Sequence, residues 1–300
     1  MTPRTGLEHR ADQCTMESVL AHSRRRLVAA GIEAADQEAR WLIEHALGLT
    51  GSSQLVAYRC PLNEQEIAKI ESYLARRTAR EPLQYILGTQ EFCGLEFEVN
   101  PAVLIPRPET ELLVQEVIRR LPRNGRAIVV DVGTGSGCLA VTLARAVPDV
   151  TMFATDLSAE ALETAKRNAR RHGVETAIQW LQGNLLAPLA GPCRDGAVTA
   201  IVANPPYIRE TEWSGLQPEV RDHEPRMALV AGASGTEFHE RLLDEAVRYL
   251  SPGGFLAMEL GKGQTVGVLA KVKTLSAYAG ADVLKDELAI DRIVVVNRTR

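Results

Sequence analysis

One tetrapeptide concentrates the chemistry available to this 300-residue chain: Asn204-Pro205-Pro206-Tyr207, which follows the apolar run 198–203. Two prolines stiffen the backbone and contribute no N–H donors, so the carbonyls of the turn point outward. The Asn204 side-chain oxygen and the Pro205 carbonyl can each accept one hydrogen from a planar –NH2 group. Amide and exocyclic base nitrogens are poor nucleophiles because their lone pair is delocalised. Two acceptors that hold the hydrogens aim that lone pair at an electrophile, a task of orientation and electrostatics. Tyr207 supplies an aromatic wall against which the planar group can stack. The same residues could form an ordinary turn with Asn as turn former. Their place at a strand end, downstream of a glycine loop, favours the chemical reading.

That loop is Gly133-Thr134-Gly135-Ser136-Gly137, directly after Val129-Val130-Asp131-Val132. Glycines at alternate positions allow a tight turn and a close approach of backbone to ligand. The spacing is G-x-G-x-G, not the G-x-G-x-x-G of dinucleotide sites, and no Walker lysine follows. Asp156 ends the next apolar run, where a carboxylate can accept both hydroxyls of a ribose. It could instead cap the helix that starts beyond Ser158. Asp131, Asp156 and the loop suit an adenosine carrying a methionine tail, and on these residues alone a nicotinamide dinucleotide stays open.

The elements that must position these residues fall into two parts. Up to about residue 90 the pattern is helical. Met16, Val19, Leu20 and Leu27 share one face; Ala39, Leu42, Ile43, Ala46 and Leu47 share another, with Gly31 between them and Asp36 as a candidate cap. A third helix starts at Asn63, with Glu66 placed for a capping box and Ile67, Ile70 and Leu74 as its stripe. Residues 91–100 alternate around Gly94 as a hairpin would, and 109–121 read as a helix. Strands are expected at 127–131, 151–155, 177–181, 198–203, 255–260 and 293–297, with helices at 139–147, 159–172, 237–250 and 265–279. Short apolar strands alternating with helices call for a parallel sheet covered on both faces.

Charge and composition exclude several classes. Apolar residues make up 45% and charged residues 24%, as in ordinary globular domains. The longest stretch free of Asp, Glu, Lys and Arg is the 18 residues between Glu175 and Arg194, and it is broken by Gln, Asn, Gly and Pro. A membrane span needs about 20. With 34 basic and 38 acidic residues the net charge is −4, against a long nucleic-acid groove. Arg24, Arg25 and Arg26, Arg76, Arg77 and Arg80, and Arg119, Arg120 and Arg123 read as solvated helix faces. Cys14, Cys60, Cys93, Cys138 and Cys193 include no C-x-x-C pair, and no metal site is expected. They read as reduced, mostly buried thiols of a cytoplasmic protein, and residues 1–14 as a loose polar tail rather than a signal peptide.

With these motifs in view, the chain resembles the S-adenosylmethionine-dependent methyltransferases that modify nitrogen, and specifically the peptide chain release factor glutamine methyltransferases, the PrmC/HemK family. The blocks that carry the resemblance are Glu81-Pro82-Leu83-Gln84-Tyr85-Ile86-Leu87-Gly88, the L-I-P-R-P-E-T-E segment from Leu104 to Glu111, Asp131 to Gly137, Asn204 to Tyr207, Glu224-Pro225 and Glu259-Leu260-Gly261. It implies an α/β fold: a seven-stranded Rossmann-like class I methyltransferase sheet with an antiparallel last strand near 292–297. A small all-helical N-terminal domain (1–90) would dock on the release factor, a β-hairpin linker (91–107) would connect it, and 108–300 would form the methyltransferase domain. Thr110, Asp131, Gly133, Thr134, Gly135, Ser136, Gly137, Asp156, Asn184, Leu185 and Asn204 would bind the cofactor. Asn204, Pro205, Pro206 and Tyr207 would hold the glutamine of the Gly-Gly-Gln loop of class I release factors, with Asn204, Pro205 and Tyr207 as the catalytic groups.

One departure stands out. The family usually has an acidic residue after the third strand to accept the adenine amino group, and this chain has Asn184; its amide oxygen can accept the bond without charge assistance. The expected reaction is a direct displacement at the sulfonium methyl, with S-adenosylhomocysteine as product, by a monomer with no metal. The alternative is an adenine-N6 nucleic-acid methyltransferase, which faces the same chemical problem but needs a positive channel and an extruded base. A binding protein that kept the fold and lost turnover is a further alternative, against which the intact Asn204–Tyr207 segment speaks.

Overall fold

The computed structural model describes residues 15–49, 61–122 and 126–300. The expectations for residues 1–14, Cys14, Cys60 and Arg123 lie outside the described residues. By its internal contacts the chain divides into two units: one holds the described residues up to Gly88 together with Pro218–His223, the other Thr89–Gln217 with Glu224–Arg300.

The first unit is helical. Helices α1 (Met16–Ala29), α2 (Ala35–Leu47), α3 (Glu64–Thr78) and α4 (Leu83–Leu87) bury Leu27, Ala39, Leu42 and Leu74 in a common core. The capping box at α3 forms as the spacing predicts: Asn63 Oδ1 accepts from Glu66 N at 2.9 Å, and Glu66 Oε2 from Asn63 N at 2.8 Å. Asp36 is not the cap of α2, which starts one residue earlier at Ala35. It sits in the first turn and pairs with Arg24 at 2.5 Å, where an anion also suits the helix N-terminus. Arg76, Arg77 and Arg80 are not a solvated face either. The Arg77 side chain is 6% exposed, bonded to Glu38 at 2.5 Å and to Glu219 of the short helix Pro218–His223 at 3.0 Å, and Arg80 reaches the same Glu219 at 2.7 Å. A guanidinium is tolerated at that depth because carboxylates meet it on two sides.

The second unit opens with the hairpin β1 (Thr89–Phe92) and β2 (Leu95–Glu98), followed by α5 (Thr110–Arg120). A seven-stranded sheet follows: β3 (Ile128–Val132), β4 (Thr151–Asp156), β5 (Ile178–Gln182), β6 (Val198–Ala203), β9 (Leu250–Glu259), β10 (Tyr278–Lys285) and β11 (Asp291–Arg298). Their spatial order is β10-β11-β9-β6-β3-β4-β5. Strands β9, β6, β3, β4 and β5 run parallel, and β11 is antiparallel to both its neighbours. The two-residue strand β7 (Ile208–Arg209) and β8 (Val230–Gly232) pair separately. Helices α6 (Cys138–Ala146), α7 (Ala159–Arg171), α8 (Glu237–Tyr249) and α9 (Thr265–Lys273) complete the layers.

Successive side chains of a strand face opposite ways, and here both faces are apolar. Val129, Met152, Val202, Ala257 and Val295 join one core cluster, while Val130, Phe153, Ile201, Met258 and Val294 join the other. That accounts for the unbroken apolar runs of the central strands. The fold is therefore the seven-stranded class I methyltransferase arrangement expected. Among the regular elements of the second unit, β10 departs from expectation. The helix at 265–279 stops at Lys273, and Tyr278 opens an edge strand rich in Ala, Gly and Asp, residues of low strand propensity. Hydrogen bonding to β11 makes it a strand, not its composition.

Candidate active site

The loop after β3 is a closed piece of backbone engineering. Gly133, Gly135 and Gly137 all take positive φ, at +72°, +55° and +81°, a region open to Gly at little cost. At Gly137 space matters as well: a Cβ there would lie 2.9 Å from the Ala165 Cβ of α7. The main-chain N–H groups of Gly133 and Thr134 donate to the Thr155 carbonyl at 2.8 and 3.0 Å.

Two carboxylates fasten this loop. Asp156, at the end of β4, accepts from Gly135 N and from Ser158 N, both at 2.9 Å. It is not the helix cap, which is Ser158, whose Oγ accepts from Ala161 N at 3.1 Å. Asp156 also lines the cavity, and a carboxylate has about four acceptor positions, so it can accept further bonds there. Asp131 is fully buried; its Oδ2 accepts from Thr134 Oγ1 at 2.6 Å and from Ala140 N at 3.1 Å, and its Oδ1 has no partner. Burial, only partly offset by those two bonds, pushes its carboxyl up to about 7. Thr134, Ser136 and Gly137 are likewise absent from the cavity wall. They and Asp131 shape the loop from behind.

The turn after β6 is held differently. Asn204 Nδ2 donates to Thr110 Oγ1 at 3.1 Å, and Thr110 Oγ1 donates to Glu259 Oε2 at 2.6 Å. Tyr207 Oη reaches the other oxygen, Oε1, at 3.5 Å. The main chain of Tyr207 is pinned on both sides: its N–H donates to the Leu229 carbonyl at 3.1 Å, and its carbonyl accepts from Gln264 Nε2 at 2.6 Å. These bonds draw the ring against Gly261, whose added Cβ would lie 3.0 Å from the Tyr207 Cδ2, and away from the cavity wall. Tyr207 is thus a brace beneath the turn, not the stacking wall that the sequence suggests. Thr110 is also set behind Asn204: it is 2% exposed and does not line the cavity.

The cavity measures about 330 Å³ and is bordered by four strand-end loops. Gly133 and Gly135 follow β3; Asp156, Leu157 and Ser158 follow β4; Gly183, Asn184 and Leu185 follow β5; and Asn204, Pro205 and Pro206 follow β6. Ligands of open α/β sheets bind in this crevice beyond the carboxyl ends of the strands. The remaining wall is apolar, from Val103, Leu104, Pro225, Met227, Ala228, Val230 and Phe238. Arg107 and Ile105 N fasten the Leu104 segment to the buried Glu224 carboxylate. An adenosine with a methionine tail fits this set: a carboxylate for the ribose at Asp156, an exposed apolar Leu157 beside it, and side-chain-free backbone at Gly133 and Gly135.

Sequence reasoning did not find Met227, Phe238 or Gln264, and it saw Glu259 only as part of a recognisable block. A signal for Glu259 does exist. It is a carboxylate that ends an apolar strand, as Asp156 does and Asp131 nearly does on theirs, but no spacing links it to Thr110. Burial pushes the Cys93 and Cys138 thiols up to about 12, so neither is a nucleophile near neutral pH. Among the described residues no group of His, Cys, Asp and Glu is arranged to hold a metal ion, and no helix is long and apolar enough to cross a membrane.

Comparison with known proteins gives a consistent picture. Residues 18–88 match the model of the PrmC N-terminal domain, and residues 108–216 that of the methyltransferase small domain. A release factor glutamine methyltransferase of Geobacter sulfurreducens is 44% identical over 280 residues, covering 93% of this chain and 95% of the relative. A second of that name, from Nitratidesulfovibrio vulgaris, is 40% identical over 285 residues, covering 95% of each. Among solved structures, a methyltransferase from Pyrococcus furiosus shares the fold at a TM-score of 0.50 and 20% identity, over 70% of this chain and 91% of that one.

Proposed function

The chain belongs to the release factor glutamine methyltransferase family, and we propose that it moves a methyl group from S-adenosylmethionine to the side-chain amide nitrogen of the glutamine in the Gly-Gly-Gln motif of class I peptide chain release factors, modulating translation termination. The observation that carries this reading is the Asn204-Pro205-Pro206 turn on the wall of a strand-end cavity that also presents Asp156 and the Gly133–Gly135 backbone. Bound there, S-adenosylmethionine supplies an electrophilic methyl group on a cationic sulfur.

The chain itself supplies placement. Asp156 accepts the ribose hydroxyls, the backbone at Gly133 and Gly135 lies along the methionine portion, and Asn184 and Leu185 border the adenine. Asn204 Oδ1 and the Pro205 carbonyl hold the two hydrogens of the glutamine amide, so its lone pair faces the methyl group. The new N–C bond forms as the C–S bond breaks, the electron pair stays on sulfur, and the amide nitrogen then releases a proton to solvent. Well-oriented reactants can contribute roughly 7–11 kcal/mol in this way. The apolar side chains of Leu104, Met227 and Phe238 line the cavity beside the turn.

In this reading residues 1–90 dock on the release factor, 91–107 link, and 108–300 carry the reaction, in a cytoplasmic monomer that neither needs a metal nor binds nucleic acid directly. The test is transfer of label from S-adenosylmethionine to a purified class I release factor, to the same factor with its loop glutamine changed to alanine, and to duplex DNA. Label on the factor that vanishes with the glutamine supports the reading. Label on DNA alone assigns the turn to an exocyclic base amine instead.

A further inference from the structure

We propose that Glu259 and Thr110 are positioning residues that fix which way round the Asn204 amide faces the cavity. The inference rests on the reading that Asn204 holds a substrate amide, and it assigns the reason that Asn204 can do so.

The argument is one of counting hydrogens. An ionised carboxylate only accepts, and a threonine hydroxyl has a single hydrogen to give. Glu259 is 1% exposed and Thr110 2% exposed, so water does not complete their bonding. The 2.6 Å contact spends the Thr110 hydrogen on Glu259 Oε2. Toward Asn204, at 3.1 Å, Thr110 can then only accept, which obliges Asn204 to turn its –NH2 inward. Oδ1 is left as the atom Asn204 offers to the cavity. The opposite amide orientation would set donor against donor and repel the hydrogens of a substrate amide.

The device is spread over the chain. Thr110 opens α5, Glu259 ends β9 and Asn204 follows β6, and the Tyr207 hydroxyl donates to the second oxygen of Glu259 from the same turn as Asn204. The charge that holds the chain of bonds in this sense is exposed to several neighbours. Arg292 of β11 favours the ionised form and Glu109, just before α5, opposes it. His239 of α8 donates from Nε2 to the Glu259 main-chain oxygen at 2.7 Å. Burial outweighs the favourable contacts and pushes the Glu259 carboxyl up to about 7. A proton on Glu259 reverses the series: the acid donates to Thr110, Thr110 donates to Asn204, and the amide turns its –NH2 outward.

The experiment measures kcat, KM for S-adenosylmethionine and the pH dependence of kcat with the full chain and a class I release factor. Thr110→Val keeps the shape and removes the hydroxyl; kcat should fall about 100-fold, as on losing one oriented polar group in other active sites. KM and binding of S-adenosylhomocysteine should stay within about twofold of wild type, which also reports a folded chain. Thr110→Ser should recover most of the loss. Wild type should lose turnover as pH drops through about 7, and that acid limb should vanish in Thr110→Val and in Glu259→Gln, whose amide oxygen still accepts from Thr110 but does not titrate. Wild-type turnover in Thr110→Val overturns the proposal, as does equal loss of cofactor binding. An acid limb unchanged in Glu259→Gln overturns it too, and assigns the limb to another group such as Asp131. Absence of methyl transfer by the wild-type chain would instead sink the underlying reading of function.

Discussion

The loop after β3 and the turn after β6 stand on neighbouring strands and border one cavity, yet they are held by opposite means. The β3 loop is fixed by its own backbone: three glycines of positive φ, main-chain bonds to Thr155, and two aspartates within 25 residues of each other in the chain. The β6 turn is fixed by side chains from far away, Thr110 and Glu259, with Gln264 holding the main chain. Backbone fixing gives a surface on which a ligand can lie. Side-chain fixing gives control over a single hydrogen-bonding atom. Binding and orientation are thus built separately, and they should fail separately.

Asn204→Ala makes the hardest test of that separation. Loss of the oriented acceptor should cut kcat by about 10²–10³-fold, the range seen for single oriented groups at reacting centres. Affinity for S-adenosylhomocysteine, measured by calorimetry, should stay within about threefold because Asp156 and the glycine loop are untouched. Equal loss of both would mean that Asn204 serves the cofactor first and the comparison collapses.

The converse perturbation is Gly137→Ala. Its Cβ would lie 2.9 Å from the Ala165 Cβ, and its φ of +81° strains any L side chain. Together these should cost roughly 2–4 kcal/mol, from backbone strain plus overpacking. Gly135→Ala, with φ +55° but nothing nearer than 4.0 Å, should cost about 1 kcal/mol. Denaturant melts of the two variants check the difference, and equal losses would show that φ alone, not the approach of α7, sets the requirement for glycine.

This contrast also explains what could be read from the sequence. Glycines, a strand-ending aspartate and apolar runs announce a loop whose constraints are local, so Gly133–Gly137 and Asp156 were legible by residue number. The central strands were legible because burial on both faces leaves unbroken apolar runs. The edge strand β10 was not, since its pairing partner β11 and not its Ala- and Gly-rich composition creates it. Nor were the true places of Thr110 and Tyr207. Their partner Glu259 lies 149 and 52 residues away, and only the folded sheet brings them together. The Arg76, Arg77 and Arg80 cluster misled for the same reason, because Glu219 is supplied from a distant segment.

Asp131 offers a finer probe of the backbone-held loop. Its folded carboxyl is raised to about 7 from an ordinary value of 3.8, so between those values the folded chain holds a proton that the unfolded chain releases. Stability therefore falls as pH rises through that window. Asp131→Asn keeps an acceptor for Thr134 and Ala140 and cannot ionise. It should flatten the fall by at most about 1.4 kcal/mol per pH unit, read from denaturant melts between pH 5 and 8. Glu259 contributes a fall of the same sign, so the slope should shrink rather than vanish. An unchanged slope would show that Asp131 stays ionised in the fold.

The smallest effect is expected at Asn184, where the cavity wall meets solvent. Its Oδ1 accepts from Arg241 of α8 at 3.4 Å, and Arg241 also pairs with Glu245 at 3.2 Å. In the proposed binding mode Asn184→Asp adds charge to the acceptor beside the adenine, which strengthens that bond. The same charge tightens the hold of Arg241, and an exposed pair of this kind is worth only about 0.2–1 kcal/mol. The two pulls compete for one carboxylate, so affinity for S-adenosylhomocysteine should rise about two- to fivefold, with kcat unchanged because the β6 turn is held independently. Adding Arg241→Ala should release the carboxylate and raise the affinity further. A change in kcat at Asn184→Asp, with affinity unmoved, would show that the backbone-held and side-chain-held halves of the cavity are coupled after all.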